Sequence, residues 1–190
     1  MKITDDLLHA AVRLAGDNQD MLARIEAIVD PPRDPPSLLE AALGYAARGI
    51  PIFPLVPLQK RPLTSHGLHD ATAETAQVAA WWARWPQANI GMPTGAVADV
   101  IDVDGTRGVI AIAPYLESIR ARAIGIVSTP RPGGLHYYVP PAGDRRNSAG
   151  KLLESVDTRS RGGYVILPPS VTDEHGPGRR YTWLRPLVAG

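Results

Sequence analysis

Asp102 and Asp104 flank Val103 at the end of an apolar run that begins at Val100 and stops at Gly105. A β-strand alternates its side chains with a period of two, so both carboxylates project from one face while Ile101 and Val103 point to the other. Two like charges that close repel one another. In apolar surroundings a cation has to offset them, and hard carboxylate oxygens suit Mg²⁺ or Mn²⁺. A plainer reading also stands, in which the aspartates end a strand and cap the turn after it.

Two further segments carry side chains of the same kind. From Ser128 to Tyr138 the chain reads as two strands joined by a turn through Gly133 and Gly134. The glycines let backbone come close to a ligand, and His136, on the same strand face as Tyr138, can donate a hydrogen bond to a phosphate oxygen. Alternatively, the histidine is structural and the glycines serve turn geometry. From Val156 to Ser170, Asp157 supplies a third carboxylate, Arg159 and Arg161 supply positive charge, and Gly162 and Gly163 permit a tight approach. The alternative is a solvated loop with Asp157 and Arg159 paired on the surface.

The elements that would hold these groups follow from periodicity and punctuation. Residues 4–29 suggest two short amphipathic helices, and the four prolines within 31–36 then impose an extended linker. A domain boundary is expected there, with a helical extension over 1–36 and the main domain over 37–190. Ser37 and Glu40 form a capping-box pattern at the head of a helix ending near Gly49. Residues 50–56 read as an edge strand because of their prolines. A helix over 74–85 places Val78, Trp81, Trp82 and Trp85 on or near one face. Strands are expected over 97–104, 123–128, 135–139, 164–167 and 180–184. A helix between 108 and 122 is one that Pro114 must start, kink or break. The fold class is therefore α+β.

Composition narrows the function classes. The chain has 190 residues and no cysteine, which excludes disulfides, thiolate zinc sites and cysteine nucleophiles. A reducing cytoplasm fits. No stretch approaches the roughly 18 apolar residues of a membrane span, so no membrane is expected. The net charge of +1 conceals a division: residues 1–119 carry 9 basic and 14 acidic side chains, residues 120–190 carry 11 and 5. Ten of those eleven are arginines, the side chain best shaped to fork onto phosphate. A polyanionic partner suits the C-terminal third, although an arginine-rich composition alone would give the same balance. No phosphate-loop motif is present, so no ATP-driven motor is expected.

Taken together, the D-x-D pair, then Gly133, Gly134 and His136, then Asp157 and Arg159 followed by Gly162, Gly163, Tyr164 and Pro168, Pro169, Ser170, resemble the bifunctional primase-polymerase domain of the archaeo-eukaryotic primase superfamily. Lys60 to Pro62, Asp70 to Thr72, Trp81 with Trp82, and the segment from Pro86 to Gly95 also match that domain, and the resemblance spans residues 37–185. It implies a primase-like core with an RRM-like β-sheet flanked by helices. It also implies that Asp102, Asp104 and Asp157 hold divalent metals, Mg²⁺ or Mn²⁺, and that His136 contacts the incoming nucleotide. Lys60, Gly134 and Arg159 are the further nucleotide-binding candidates. Relatives often have Ser where this chain has Gly134, and their zinc-binding insertion is missing.

The chemistry implied is attack of a 3′-hydroxyl on the α-phosphate of an NTP or dNTP, directed by a single-stranded or primed DNA template, in phage, prophage or plasmid replication. Arg145, Arg146 and Lys151 are candidates for holding nucleic acid. A replicative helicase, where the reaction needs one, would be a separate protein or a removed segment. Two other readings compete. A D-x-D also serves metal-dependent glycosyltransferases, but that leaves His136 and Asp157 without a role. A primase-like fold kept as a non-catalytic nucleic-acid-binding or assembly module accounts for everything except the intact carboxylates.

Overall fold

The computed structural model describes residues 35–143, 147–148 and 153–188. The expected N-terminal helices and Arg145, Arg146 and Lys151 lie outside the described residues. A compact unit spans Pro36–Gly190.

Helix α1 (Leu38–Ala47) starts where the capping box predicts: the Ser37 hydroxyl accepts from the Glu40 amide, and the Glu40 carboxylate accepts from the Ser37 amide at 2.8 Å. Such a cap is worth about 1 kcal/mol. Strand β1 (Phe53–Leu55) follows and lies at the edge of its sheet beside β2 (Asn89–Pro93), its other side meeting the loop at Pro62 through a single bridge from Leu55, as its prolines allow. Helix α2 (Thr75–Arg84) buries Val78 and Trp82 and leaves Trp81 and Trp85 partly exposed. The Trp82 indole donates to the Ala88 carbonyl at 3.1 Å, which lets its ring sit in the core without an unpaired N–H.

Asp102, His136, Asp157 and Arg159 belong to the largest of the three sheets among the described residues. Strand β3 (Asp99–Val103) leads into α3 (Gly105–Ile112), a 3₁₀ turn at Ala113–Tyr115, and α4 (Leu116–Arg122). Pro114 thus breaks the expected single helix, and that helix begins earlier, at Gly105. Strands β4 (Gly125–Ser128), β5 (Leu135–Val139) and β6 (Val156–Arg159) follow, then β7 (Tyr164–Leu167). Short strands β8 (Val171–Thr172) and β9 (Arg179–Arg180) pair with each other, and β10 (Thr182–Arg185) ends the series. The five-stranded sheet has the order β10-β4-β5-β3-β6 with every neighbour antiparallel, and the three-stranded sheet has the order β1-β2-β7. Strands β2, β6 and β8 lie outside the strands expected from the sequence.

Alternation gives the five-stranded sheet two different faces. Ile101 and Val103 of β3, Leu135 and Tyr137 of β5, and Val156 of β6 pack with α3 and α4 through Val109, Ile112, Leu116 and Ile119. Val100, Val127 and Tyr138 point the other way, into a core shared with α1, α2 and the three-stranded sheet, where Phe53, Trp82, Ile90, Met92 and Leu167 are almost wholly buried. Tyr45 fastens α1 to this assembly: its hydroxyl donates to the Pro168 carbonyl at 2.6 Å and accepts from the Trp183 indole at 2.8 Å. Among the described residues, no helix is long and apolar enough to cross a membrane.

Candidate functional site

β3 lies between β5 and β6, and the pairing sets Asp102 opposite His136 on one side and opposite Asp157 on the other. Three residues from three separate segments therefore form one row, on the face that does not carry α3 and α4. Strand sterics fix this. Val103 and Val156 must point into the apolar layer beneath the helices, so Asp102 and Asp157, one residue away, must point out of it.

Within the row, His136 Nε2 stands 3.3 Å from Asp102 Oδ1. Arg159 Nη2 stands 3.4 Å from Asp102 Oδ2 and 3.3 Å from Asp157 Oδ2. Burial pushes the Asp102 carboxyl up, but His136 and then Arg159 outweigh it and hold the carboxyl at about 2. His136 is buried, with no partner for Nδ1 among the described residues, and its ring lies 5.9 Å from that of Tyr181. Burial raises the Tyr181 and Tyr138 phenols well above their ordinary value, so both stay protonated hydroxyls.

Asp102 and His136 of the row open onto a cleft of about 380 Å³ bordered also by Lys60, Asn147, Arg159, Tyr164 and Tyr181, with Gly162 and Gly163 on its wall. That is the size range of small-molecule sites. Lys60 pairs with Glu174 at 2.7 Å, and its carbonyl accepts from the Tyr164 hydroxyl at 2.9 Å, so Lys60 is tied both to the cleft wall at Tyr164 and to the loop carrying Glu174. Asn147 holds the turn after β6: its Oδ1 accepts from the Ser160 amide at 2.6 Å and its Nδ2 donates to the Arg161 carbonyl at 3.1 Å.

Asp157 reaches the cleft through its contact with Arg159, and Asp104 and Gly134 stand apart from the lining. Asp104 lies one residue beyond β3, at the N-cap position of α3, yet its side chain makes no capping hydrogen bond. Its carboxylate instead meets Arg131 Nε at 3.3 Å, across from the turn between β4 and β5. Gly134 has a local reason to be glycine, because an added Cβ would collide with the Thr129 hydroxyl inside that turn. Sequence offered no sign of Tyr181 or Asn147, which border the cleft with no pattern around them to mark a role, nor of the contact that Arg131, within the Gly-containing turn segment, makes with Asp104.

The donor chemistry fits a hard divalent cation. Asp102 and Asp157 already place one oxygen each within 3.4 Å of a single guanidinium nitrogen, so a positive charge between them has two carboxylate partners. Among the described residues, however, no three His, Asp or Glu side chains converge as a ready-made cage.

Residues 42–189 match the family described as bifunctional DNA primase/polymerase, N-terminal. No curated protein matches the chain.

Proposed function

The chain belongs to the bifunctional DNA primase/polymerase family, and from that premise we propose that it joins nucleotides on a DNA template, as a primase, a polymerase or both. The observation that carries the reading is the row of Asp102, His136 and Asp157 across three adjacent strands, brought together from widely separated segments at the edge of a cleft. The strand order β4-β5-β3-β6, with helices linking β3 to β4, supports an RRM-like core.

In this reading a 3′-hydroxyl attacks the α-phosphate of an NTP or dNTP and pyrophosphate leaves. Asp102 and Asp157, with Asp104 beyond the strand end, would hold Mg²⁺ or Mn²⁺. When bound, the ions supply Lewis-acid activation of the attacking oxygen and charge stabilisation of the leaving one. The chain's own residues do the rest. Arg159 and Lys60 present positive charge to the triphosphate, and Arg159 can fork onto two phosphate oxygens. His136 steadies Asp102 through its Nε2 contact and offers a further hydrogen bond toward phosphate. Tyr164 and Tyr181 wall the cleft with apolar rings that reduce access of water. Arg145, Arg146 and Lys151 add phosphate contacts to template or primer, the setting being phage, prophage or plasmid replication.

The experiment is a product assay with labelled NTPs or dNTPs on unprimed and primed single-stranded DNA, with Mg²⁺ or Mn²⁺, beside Asp102→Ala and Asp157→Ala. Extension or primer synthesis that both substitutions abolish is the expected result. DNA binding without product under either metal would identify a non-catalytic module instead.

A further inference from the structure

Each carboxylate that the proposed reaction assigns to a cation already faces a guanidinium. Arg159 spans Asp102 and Asp157 at 3.4 and 3.3 Å, and Arg131 meets Asp104 at 3.3 Å. Among the described residues, Arg159 and Arg131 thus set guanidinium charge against all three carboxylates. The Asp102 and Asp157 side chains are only 15% and 16% exposed, so they are shielded from water and would repel across the strand pair if Arg159 were removed. A guanidinium cannot discharge itself by losing a proton. Any divalent cation that enters must contend with Arg159 for the same oxygen atoms.

We propose that Arg159 is the resident counter-cation of this acidic row: it positions Asp102 and Asp157 before a divalent cation arrives, and it lowers cation affinity because it has to leave. The inference rests on the nucleotidyl-transfer reading for the identity of the site. Arg159 borders the cleft and its side chain is 36% exposed, so a guanidinium released from the carboxylates stays beside the place a triphosphate would occupy. Planar forked donors suit phosphate as well as carboxylate. Cation and triphosphate binding are thereby coupled, since both favour the arrangement in which Arg159 has left Asp102 and Asp157.

The test uses the full chain, stripped of metal, titrated calorimetrically with Mn²⁺ alone. Arg159→Gln is expected to bind Mn²⁺ about tenfold more tightly than the parent or better. In chelator the same variant unfolds at a lower temperature, and Mn²⁺ restores the loss. Arg159→Lys keeps the charge and stays within a few-fold of parental affinity. Mn²⁺ binding by Arg159→Gln no tighter than the parent's, or unchanged stability in chelator, overturns the proposal.

Should Arg159→Gln not fold, the arginine side-chain NMR signal lost in Arg159→Lys identifies Arg159 in the parent. Addition of Mg²⁺ is expected to shift that signal, and a signal unmoved at saturation overturns the proposal. The two readings fail separately. A protein that makes no product yet shows these effects keeps the counter-cation and loses nucleotidyl transfer; an active protein whose Arg159→Gln binds Mn²⁺ no tighter loses only the counter-cation.

Discussion

His136 and Asp102 sit directly opposite each other on neighbouring strands, and the imidazole Nε2 lies 3.3 Å from the carboxylate Oδ1. The contact fixes one oxygen of Asp102 from one side while Arg159 engages the other oxygen from the far side. A carboxylate held at both ends has little rotational freedom left, which is the property a ligand or a positioning group needs.

Asp102→Asn keeps the shape and removes the charge. Nucleotide incorporation is expected to fall by about a hundredfold or more, since disturbing even the outer partners of such sites costs about 10- to 100-fold. His136→Gln falls in that lower range. Both are measured by primer extension, with the thermal midpoint as a control for folding. A parental rate in Asp102→Asn removes Asp102 from the site.

Tyr45 gives an alkaline signature. Burial pushes its phenol up from its ordinary value of 10.0 to about 12. Because the folded state keeps the proton that the unfolded chain loses, the stability Tyr45 contributes is complete below pH 10 and is lost as pH rises toward 12. The slope is about 1.4 kcal/mol per pH unit for this group. Tyr45→Phe should flatten that fall in denaturant titrations. At neutral pH it should also cost about 1 to 3 kcal/mol, because the Trp183 indole and the Pro168 carbonyl lose their partner.

Gly95 has a φ of +91°, and a Cβ there would strike the backbone nitrogen of Arg161. Gly95→Ala therefore combines a backbone strain with a collision against the turn after β6. A loss of at least about 2 kcal/mol is expected, seen as a lower thermal midpoint. Since Arg161 follows Arg159 by two residues, the substitution should weaken nucleotide binding in whatever fraction remains folded. A midpoint equal to the parent's would show that the turn moves aside at no cost.

Nucleic-acid binding should decline steeply with salt, because phosphate contacts release counterions. Replacing Arg145 and Arg146 together by Gln is expected to lower the slope of log affinity against log salt by roughly 1 to 2, uniformly across template sequences. Fluorescence anisotropy with single-stranded DNA at several salt concentrations measures it. An unchanged slope means that neither arginine touches phosphate.

The parts of the fold that sequence revealed were those written locally. The Ser37 and Glu40 box starts α1, Pro114 interrupts the crossover helices, and the alternation around Asp102 shows which way that carboxylate faces. Strand β6 was hidden because only Val156 of its four residues is strongly apolar; Thr158 fills the other inward position, and pairing with β3 makes the segment a strand. Strand β2 was masked by Gly91 and Pro93, which read as interruptions until its two partner strands supply hydrogen bonds. The pairing of Asp104 with Arg131 joins a helix start to a distant turn, and no spacing rule connects the two.

The alternation along β3 also acts as a proofreading device during folding. Slipping that strand by one position against its neighbours would turn Asp102 into the greasy layer under α3 and α4 and bring Val103 out to the cleft. An unpaired carboxylate in that layer costs several kcal/mol, a large part of a domain's whole stability. The misaligned chain is therefore disfavoured by the same side chain that the proposed reaction uses, so under that reading selection for activity and selection for correct assembly act on a single aspartate.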